Sequence, residues 1–345
     1  MPRKRHITRK VPRLTLFNHK GGVGKTTLTV NLAFSLARMG KKILLVDSDP
    51  QCNLTSYLVD AEVVNKWLDE SESGKGQTLW SAVRPLLEAG ASIHSIVPYE
   101  RARGVFLLPG DIMLSQYEIA LQQSWLDCLQ RKIRGFAEMT ALSRLIDVCA
   151  TAIDADFVLY DVGPNIGPLN RAILLDCDFF VVPAACDYFS TRALKTLGNS
   201  IVTWIKDWDV ISQLAPGDVP LLAGRPAYLG YVLQRFRMYG GDISNSYTEY
   251  ARQLDRYSYS DVAAVLKEVD ERLAPGSASQ FKLGQIKDFS SLANFGQEQG
   301  IAMADVKGGA QYMKDDALLA FNEFARKIID RIGKIGDRKT QNNKN

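Results

Sequence analysis

The sequence predicts an α/β fold: a mostly parallel, twisted sheet with helices on both faces. Three observations carry that expectation. Short apolar runs alternate with amphipathic stretches of helical length, the pattern left by buried parallel strands and their crossover helices. The first run, Leu14–Phe17, passes directly into Asn18-His19-Lys20-Gly21-Gly22-Val23-Gly24-Lys25-Thr26-Thr27. Two later runs, Lys42–Asp47 and Phe157–Asp161, each end on a carboxylate, and open α/β sheets place their chemistry at the C-terminal ends of their strands.

The glycine loop is read first. Glycines let backbone N–H groups turn inward around phosphate oxygens without a Cβ clash, and a following helix adds the partial positive charge of its N-terminus. Thr26 to Met39 is amphipathic and is closed by Gly40, so strand, loop and helix follow one another as a phosphate site requires. Gly21, Gly22, Val23, Gly24, Lys25, Thr26 and Thr27 are the candidate phosphate-binding residues, with Lys25 on the β- and γ-phosphates and the Thr26 hydroxyl on Mg²⁺. An ordinary strand-to-helix turn is the bland alternative, and Lys25-Thr26-Thr27 in this context sets it aside. The fold class is therefore a P-loop NTPase. The general pattern G-x-x-x-x-G-K-[ST] is not strictly met, because its first glycine falls on His19. The loop is a variant.

That variant, K-G-G-x-G-K-T-T, resembles the loop of the ParA/MinD ATPases, the deviant Walker A or SIMIBI group, and within it the ParA/Soj-type partition ATPases. The likeness continues in order. Asp47-Ser48-Asp49-Pro50-Gln51-Cys52-Asn53-Leu54-Thr55 is similar to the family's D-x-D-P-Q-x-N-x-T segment. Alone, Asp47 reads equally well as a helix cap or turn former; the resemblance implies that it orients or activates the water attacking the γ-phosphate. Asp161 falls at the Walker B position, which implies contact with Mg²⁺ through a water or a hold on the attacking water. Here the family usually has Asp-Thr-Pro-Pro, whereas this chain has Asp161-Val162-Gly163-Pro164. Asn170 falls at the family's N-A-L element, Phe179–Pro183 reads as the next buried strand, and Ser190 as the N-cap of the helix after it.

Lys20 carries the mechanistic implication. An exposed lysine that merely adds positive potential is the bland reading. Its place immediately before Gly21-Gly22 resembles the family's second lysine, which reaches across a dimer to the partner's ATP as an arginine finger does. The resemblance thus implies ATP and Mg²⁺ as cofactors, a homodimer when ATP is bound, and slow turnover. It also implies nonspecific DNA as a partner, a stimulating ParB-like protein, and a cytoplasmic, nucleoid-associated location.

Composition is consistent with this. With 345 residues, 46% of them hydrophobic, the chain can bury a large core. No apolar run approaches the ~20 residues that span a bilayer, and no apolar segment of a signal peptide follows the basic start. Five cysteines without a C-x-x-C pair read as reduced structural thiols, and three scattered histidines as no metal cluster.

The predicted organisation is a basic tail (1–12), a single ATPase domain (13–335) with helical elaborations around 61–150 and 242–273, and a polar tail (336–345). Within it, 61–76 reads as a helix end and exposed loop, 104–110 as a short strand and turn, and 229–233 and 280–286 as strands. Residues 242–273 read as helical and tyrosine-rich. A final helix, 315–335, places Leu318, Leu319, Phe321, Phe324, Ala325, Ile328, Ile329 and Ile332 on an apolar stripe suited to core packing.

The partner surface is the more open question. The N-terminal tail carries Arg3, Lys4, Arg5, Arg9, Lys10 and Arg13 without an acid, which suits phosphate-backbone contacts but also an ordinary solvated tail. Arg235 and Arg237 follow a strand where ParA-like proteins carry DNA-contacting basic residues. No DNA-reading helix-turn-helix is evident. Two other readings stay open. One is a MinD-like membrane switch, against which the polar end Asp337–Asn345 counts. The other is a P-loop synthetase or reductase, whose reductase form lacks a cluster-binding cysteine pattern.

Overall fold

The computed structural model describes residues 11–342 apart from 237, 240, 241, 244 and 290; for 235–247 and 337–342 only backbone is described, where it is described at all. Along the chain, β1 (Arg13–Leu16) leads through the glycine loop into α1 (Lys25–Arg38), followed by β2 (Ile43–Asp47), α2 (Asn53–Leu58), α3 (Ala61–Asp69) and α4 (Leu79–Ala89). A hairpin of β3 (Tyr99–Ala102) and β4 (Val105–Leu108) precedes α5 (Leu114–Leu129), α6 (Ile133–Met139) and α7 (Ala141–Ala152). Next come β5 (Phe157–Asp161), α8 (Pro168–Asp176), β6 (Phe179–Ala185), α9 (Tyr188–Gln213) and β7 (Ala227–Phe236). The chain continues with β8 (Met238–Tyr239), β9 (Asp242–Ile243), α10 (Asn245–Tyr257), α11 (Ala264–Val269), β10 (Lys282–Lys287), α12 (Ser291–Gln299) and α13 (Gln311–Asn342).

Eight strands form one sheet in the order β10-β7-β6-β1-β5-β2-β4-β3. The pairings β1–β5, β2–β4, β2–β5, β6–β7 and β7–β10 are parallel, and the edge strand β3 runs antiparallel to β4. The mostly parallel α/β sheet that the sequence predicts is therefore present. Every residue of β2 and β5 is buried, which is why both read as uninterrupted apolar runs up to their terminal acids.

The chain divides into two compact units. One holds residues through Thr15, Gly40–Asp178 and Trp204–Pro226; the other holds Leu16–Met39, Phe179–Thr203 and the chain from Ala227 onward. In the first, Arg13, which the sequence reading counts with the basic tail, instead opens β1: its guanidinium is almost fully buried and bonds Asp176, Asp147 and the Ser143 hydroxyl, so it is not exposed to a phosphate backbone, and the Tyr160 hydroxyl also donates to Asp176. A buried charge needs such partners. In the second, Phe321, Phe324, Ala325 and Ile328 of α13 are buried, and Tyr228 stacks on Phe281 at 5.2 Å.

Several elements depart from the sequence reading. Within 61–76, read as a helix end and exposed loop, the helix occupies Ala61–Asp69: Val63, Val64, Trp67 and Leu68 have the i, i+3/i+4 spacing that sets its length. The 242–273 stretch opens on β9 and contains a π-helical turn, Ser258–Ala263, between α10 and α11. Leu319 is exposed rather than part of the α13 core stripe. Among the described residues, no helix is long and apolar enough to cross a membrane.

Candidate functional site

In the second unit, β1 delivers the chain to Asn18, which is buried; its Nδ2 donates to Pro183 O at 2.8 Å and its Oδ1 accepts from Lys20 N at 2.9 Å. This anchors the loop's entry to β6. Its exit is set by Gly24, whose φ of 72° caps α1 in a left-handed conformation that favours glycine. The Lys25 side chain is buried and its ammonium donates to the carbonyl of Asn18 at 3.1 Å. A lysine turned onto the loop's own backbone stands where a phosphate cradled by that loop would meet it. Burial, and then the charge of Lys25, hold His19 below its usual pKa, so the residue in place of the general motif's first glycine stays neutral.

Lys20 is not directed into that cradle. Its ammonium pairs with Asp187 and lies 3.1 Å from Ser190 Oγ. Asp187 Oδ1 also accepts from Ser190 N at 2.8 Å, so the N-cap of α9 is Asp187, not the predicted Ser190. An aspartate three residues before an amide in the first turn satisfies an otherwise unpaired donor as well as serine does. Burial works against ionisation of Asp187, but the hydrogen bonds from Lys20 and Ser190 outweigh it and hold its carboxyl below the usual range.

Beside Gly24 and Thr27 lies a cavity of about 670 Å³, lined also by Gln234, Asp288, Phe289 and Asn294. Gln234 is 94% buried by its 6% exposure, and its Nε2 has no hydrogen-bond partner. A polar-rimmed cavity with an aromatic wall and an unsatisfied amide suits the nucleoside half of a ligand. Nothing in the sequence marks Gln234 or Asp288, since they are single polar residues near strand ends far from the loop in sequence.

The first unit holds the acids. Asp47 and Asp161 are register partners at the C-terminal ends of β2 and β5, and both are buried. Asp47 Oδ2 accepts from Thr55 N at 2.7 Å and from Thr55 Oγ1 at 2.5 Å, while Thr55 Oγ1 accepts from Gly110 N at 2.8 Å. Its other oxygen, Oδ1, is buried without a partner. Burial, followed by the charge of Asp161, raises the Asp47 pKa to about 8. Two buried carboxylates in register, one with an unsatisfied oxygen, fit a site completed by a divalent cation and its water, which would remove that repulsion. Among the described residues no group of three or more His, Cys, Asp or Glu could hold a metal. Mg²⁺ commonly takes one or two protein oxygens and completes its shell with phosphate and water, so a larger cluster of acids is not required for it.

The segment after β5 is tied by Asn170, whose Nδ2 donates to Gly163 O at 2.9 Å and to Asn165 O at 3.0 Å. Gly163 stands where the related motif has proline; a Cβ there would lie 3.2 Å from Asp49 Oδ1, a tight fit that a glycine avoids. Gly110, in the turn after β4, was not singled out by the sequence. A Cβ there would meet Asp47 Cγ and Asp47 O at 2.9 Å. Gly110→Ala is expected to displace Asp47 and lower stability by about 1–3 kcal/mol, as overpacking does, which urea unfolding would measure; an unchanged midpoint would contradict the tight packing. Arg237 lies outside the described residues, and of Arg235 only the backbone, in β7, is described.

The fold and the lysine-flanked glycine loop define a P-loop protein of the ParA/MinD type. The chain belongs to the AAA_31 family (AAA domain), whose sequence profile matches residues 12–212. An uncharacterised Mycobacterium tuberculosis protein is 32% identical over 201 residues, covering 58% of this chain and 54% of that one. The sporulation initiation inhibitor protein Soj of Bacillus subtilis is 30% identical over 188 residues, 54% of this chain and 64% of its own. The chain thus spans less than two thirds of the length of these relatives. Among solved structures, a Corynebacterium diphtheriae protein superposes with a TM-score of 0.69 at 27% identity, over 93% of this chain and 99% of that one. Cyanothece McdA, solved in complex with ATP, superposes at 0.57 and 19% identity, over 92% and 96%, a likeness of fold.

Proposed function

We propose that this chain is an ATP-dependent dimerisation switch of the partition type, which binds DNA nonspecifically when ATP-bound and is reset by hydrolysis. The carrying observation is Lys20: the lysine ahead of the glycines pairs with Asp187 and Ser190 at the start of α9, while Lys25 turns onto the loop backbone. Two lysines in one loop with separate destinations suit one phosphate ligand per subunit and one contact made to a partner. In this reading Lys25 and the loop amides hold the phosphates, Thr26 ligates Mg²⁺, Asp161 acts on it through water, and Asp47 orients the attacking water. Lys20 completes the partner's site.

The homodimer would carry Arg235, Arg237 and the basic N-terminal tail to nucleoid DNA in the cytoplasm. A ParB-like partner would stimulate ATP hydrolysis to ADP and phosphate, and the cycle would position a plasmid, a chromosome or another cargo. Relatives named as partition ATPases, including the Treponema pallidum chromosome-partitioning ATPase Soj at 32% identity, support this direction. The test is binding to random-sequence duplex DNA with ATP, with ADP and without nucleotide, across a salt series. Binding only with ATP, weakening steeply with salt and lost in Lys20→Ala, is the expected outcome. ATP binding without DNA binding in any state would sink the DNA part of the proposal.

A further inference from the structure

Helix α5 is satisfied on one side and bare on the other. Its inner face buries Leu114, Tyr117, Leu121, Trp125 and Cys128, and the Arg171 guanidinium of α8 sits 3.7 Å from the Trp125 ring. On the outer side Ile112, just ahead of the helix, is 59% exposed, Ile119 66% and Leu126 48%. These three recur at seven-residue intervals and so share one face across four turns. Every exposed residue from Ile112 to Gln130 is an isoleucine, leucine, serine or glutamine. The face ends at a cationic turn. There Lys132 pairs with Asp127 and Arg134 with Glu138, while Arg131, held at φ 61°, pairs with no acid among the described residues.

The pattern selects an occupant. A neutral stripe with apolar anchors two turns apart takes the apolar face of another helix. A second copy of α5 fits poorly: laid parallel it brings the two cationic turns together, and laid antiparallel it offers Arg131 only Ile112, Ser115 and Gln116. An external helix with an acidic end answers both features.

The face also leads to the segment after β5. Glu118, next to Ile119, accepts a backbone hydrogen bond from Leu169 in the first turn of α8. A Cβ on Gly167 would lie 1.9 Å from Glu118 Oε1, so α5 abuts the loop that Asn170 ties to Gly163, two residues past Asp161.

We propose that the outer face of α5 docks an amphipathic helix of a partner protein, with apolar anchors on Ile112, Ile119 and Leu126 and an acidic end on Arg131. Glu118 passes the docking to the loop after β5 as a positioning residue. The coupling half of the proposal rests on the partner-stimulated ATPase reading; the docking half does not.

The test uses a synthetic helical peptide with leucines at seven-residue intervals among alanine and glutamine, ending in glutamates, and a twin ending in lysines. Fluorescence anisotropy on the full chain without nucleotide reads docking, and phosphate release reads coupling. The acidic peptide is expected to bind. Ile119→Lys and Leu126→Lys, both at exposed positions, should each weaken it about tenfold or more at unchanged thermal midpoint, and Arg131→Glu should invert the preference toward the lysine twin. Bound peptide should change phosphate release, and Glu118→Gln should remove that change while leaving peptide affinity intact. Absence of binding, or binding indifferent to Ile119 and Leu126, overturns the docking. So does self-association of the chain through this face, seen by sedimentation and abolished by Ile119→Lys, which would make the occupant a second copy. Docking without any ATP turnover would instead sink the ATPase reading and leave the surface standing.

Discussion

Lys20→Ala is expected to lower ATP turnover roughly 10³-fold, the scale of losing a charge supplied in trans to a transferring phosphoryl group. ATP affinity should stay within about threefold, because in the proposed reading Lys25 and the loop amides make the contacts within one subunit. The structure makes this separation clean. Lys20 pairs with Asp187 rather than with the residues that shape the cradle, and Asp187 keeps its capping bond to Ser190 N when the lysine is removed. The lost ion pair is partly exposed and contributes at most about 1 kcal/mol, so the variant should fold normally. Nucleotide titration, phosphate release and sedimentation with ATP would check the three statements separately. A variant that turned over ATP at the wild-type rate would reduce Lys20 to a contributor of positive potential.

Asp47→Asn is expected to lower turnover by about 10²–10⁴-fold, the range lost with a positioned acid–base group, with ATP still bound. It has a second signature in stability. The folded-state pKa of Asp47 is raised to about 8 from a usual value of 3.8, so the folded state holds a proton that the unfolded state gives up between those values. This contribution is fully present below about pH 4 and is lost as pH rises toward 8. The thermal midpoint without Mg²⁺ and nucleotide should therefore fall across that window in the wild type, and fall less in Asp47→Asn, whose amide neither ionises nor repels Asp161. Unfolding scans from about pH 5 to about pH 8, within the span between the two pKa values, would decide it. A parallel slope in both proteins would show that Asp47 is ionised throughout.

How much of this was legible beforehand depended on whether local chemistry alone fixes the outcome. The glycine loop, α1 and the strands β2 and β5 could be read directly. A strand buried on both faces must be apolar along its length, a phosphate loop needs glycines and a lysine at fixed spacing, and both requirements act over a few consecutive residues. Asp47 and Asp161 close two such runs, but their proposed roles rest on the family resemblance of the segments around them, since an acid at a strand end serves equally well as a turn former.

What the sequence by itself determined was the fold class and the ParA/MinD-type glycine loop, because each follows from contacts between near neighbours in the chain, while the roles proposed for Asp47 and Asp161 come from the resemblance of their segments to the family's. Only the tertiary structure decided their surroundings. Asp187 takes the cap assigned to Ser190 and holds Lys20, 167 residues away in sequence. Thr55 and Gly110 meet across 55 residues to fix one oxygen of Asp47 and leave the other bare. Gln234 and Asp288 line the cavity beside Gly24, and α5 buries one face while leaving an uncharged one open. Each of these is a meeting of residues distant in the chain, set by sheet order and helix packing, and no local pattern of residue types encodes which distant partner a side chain will find.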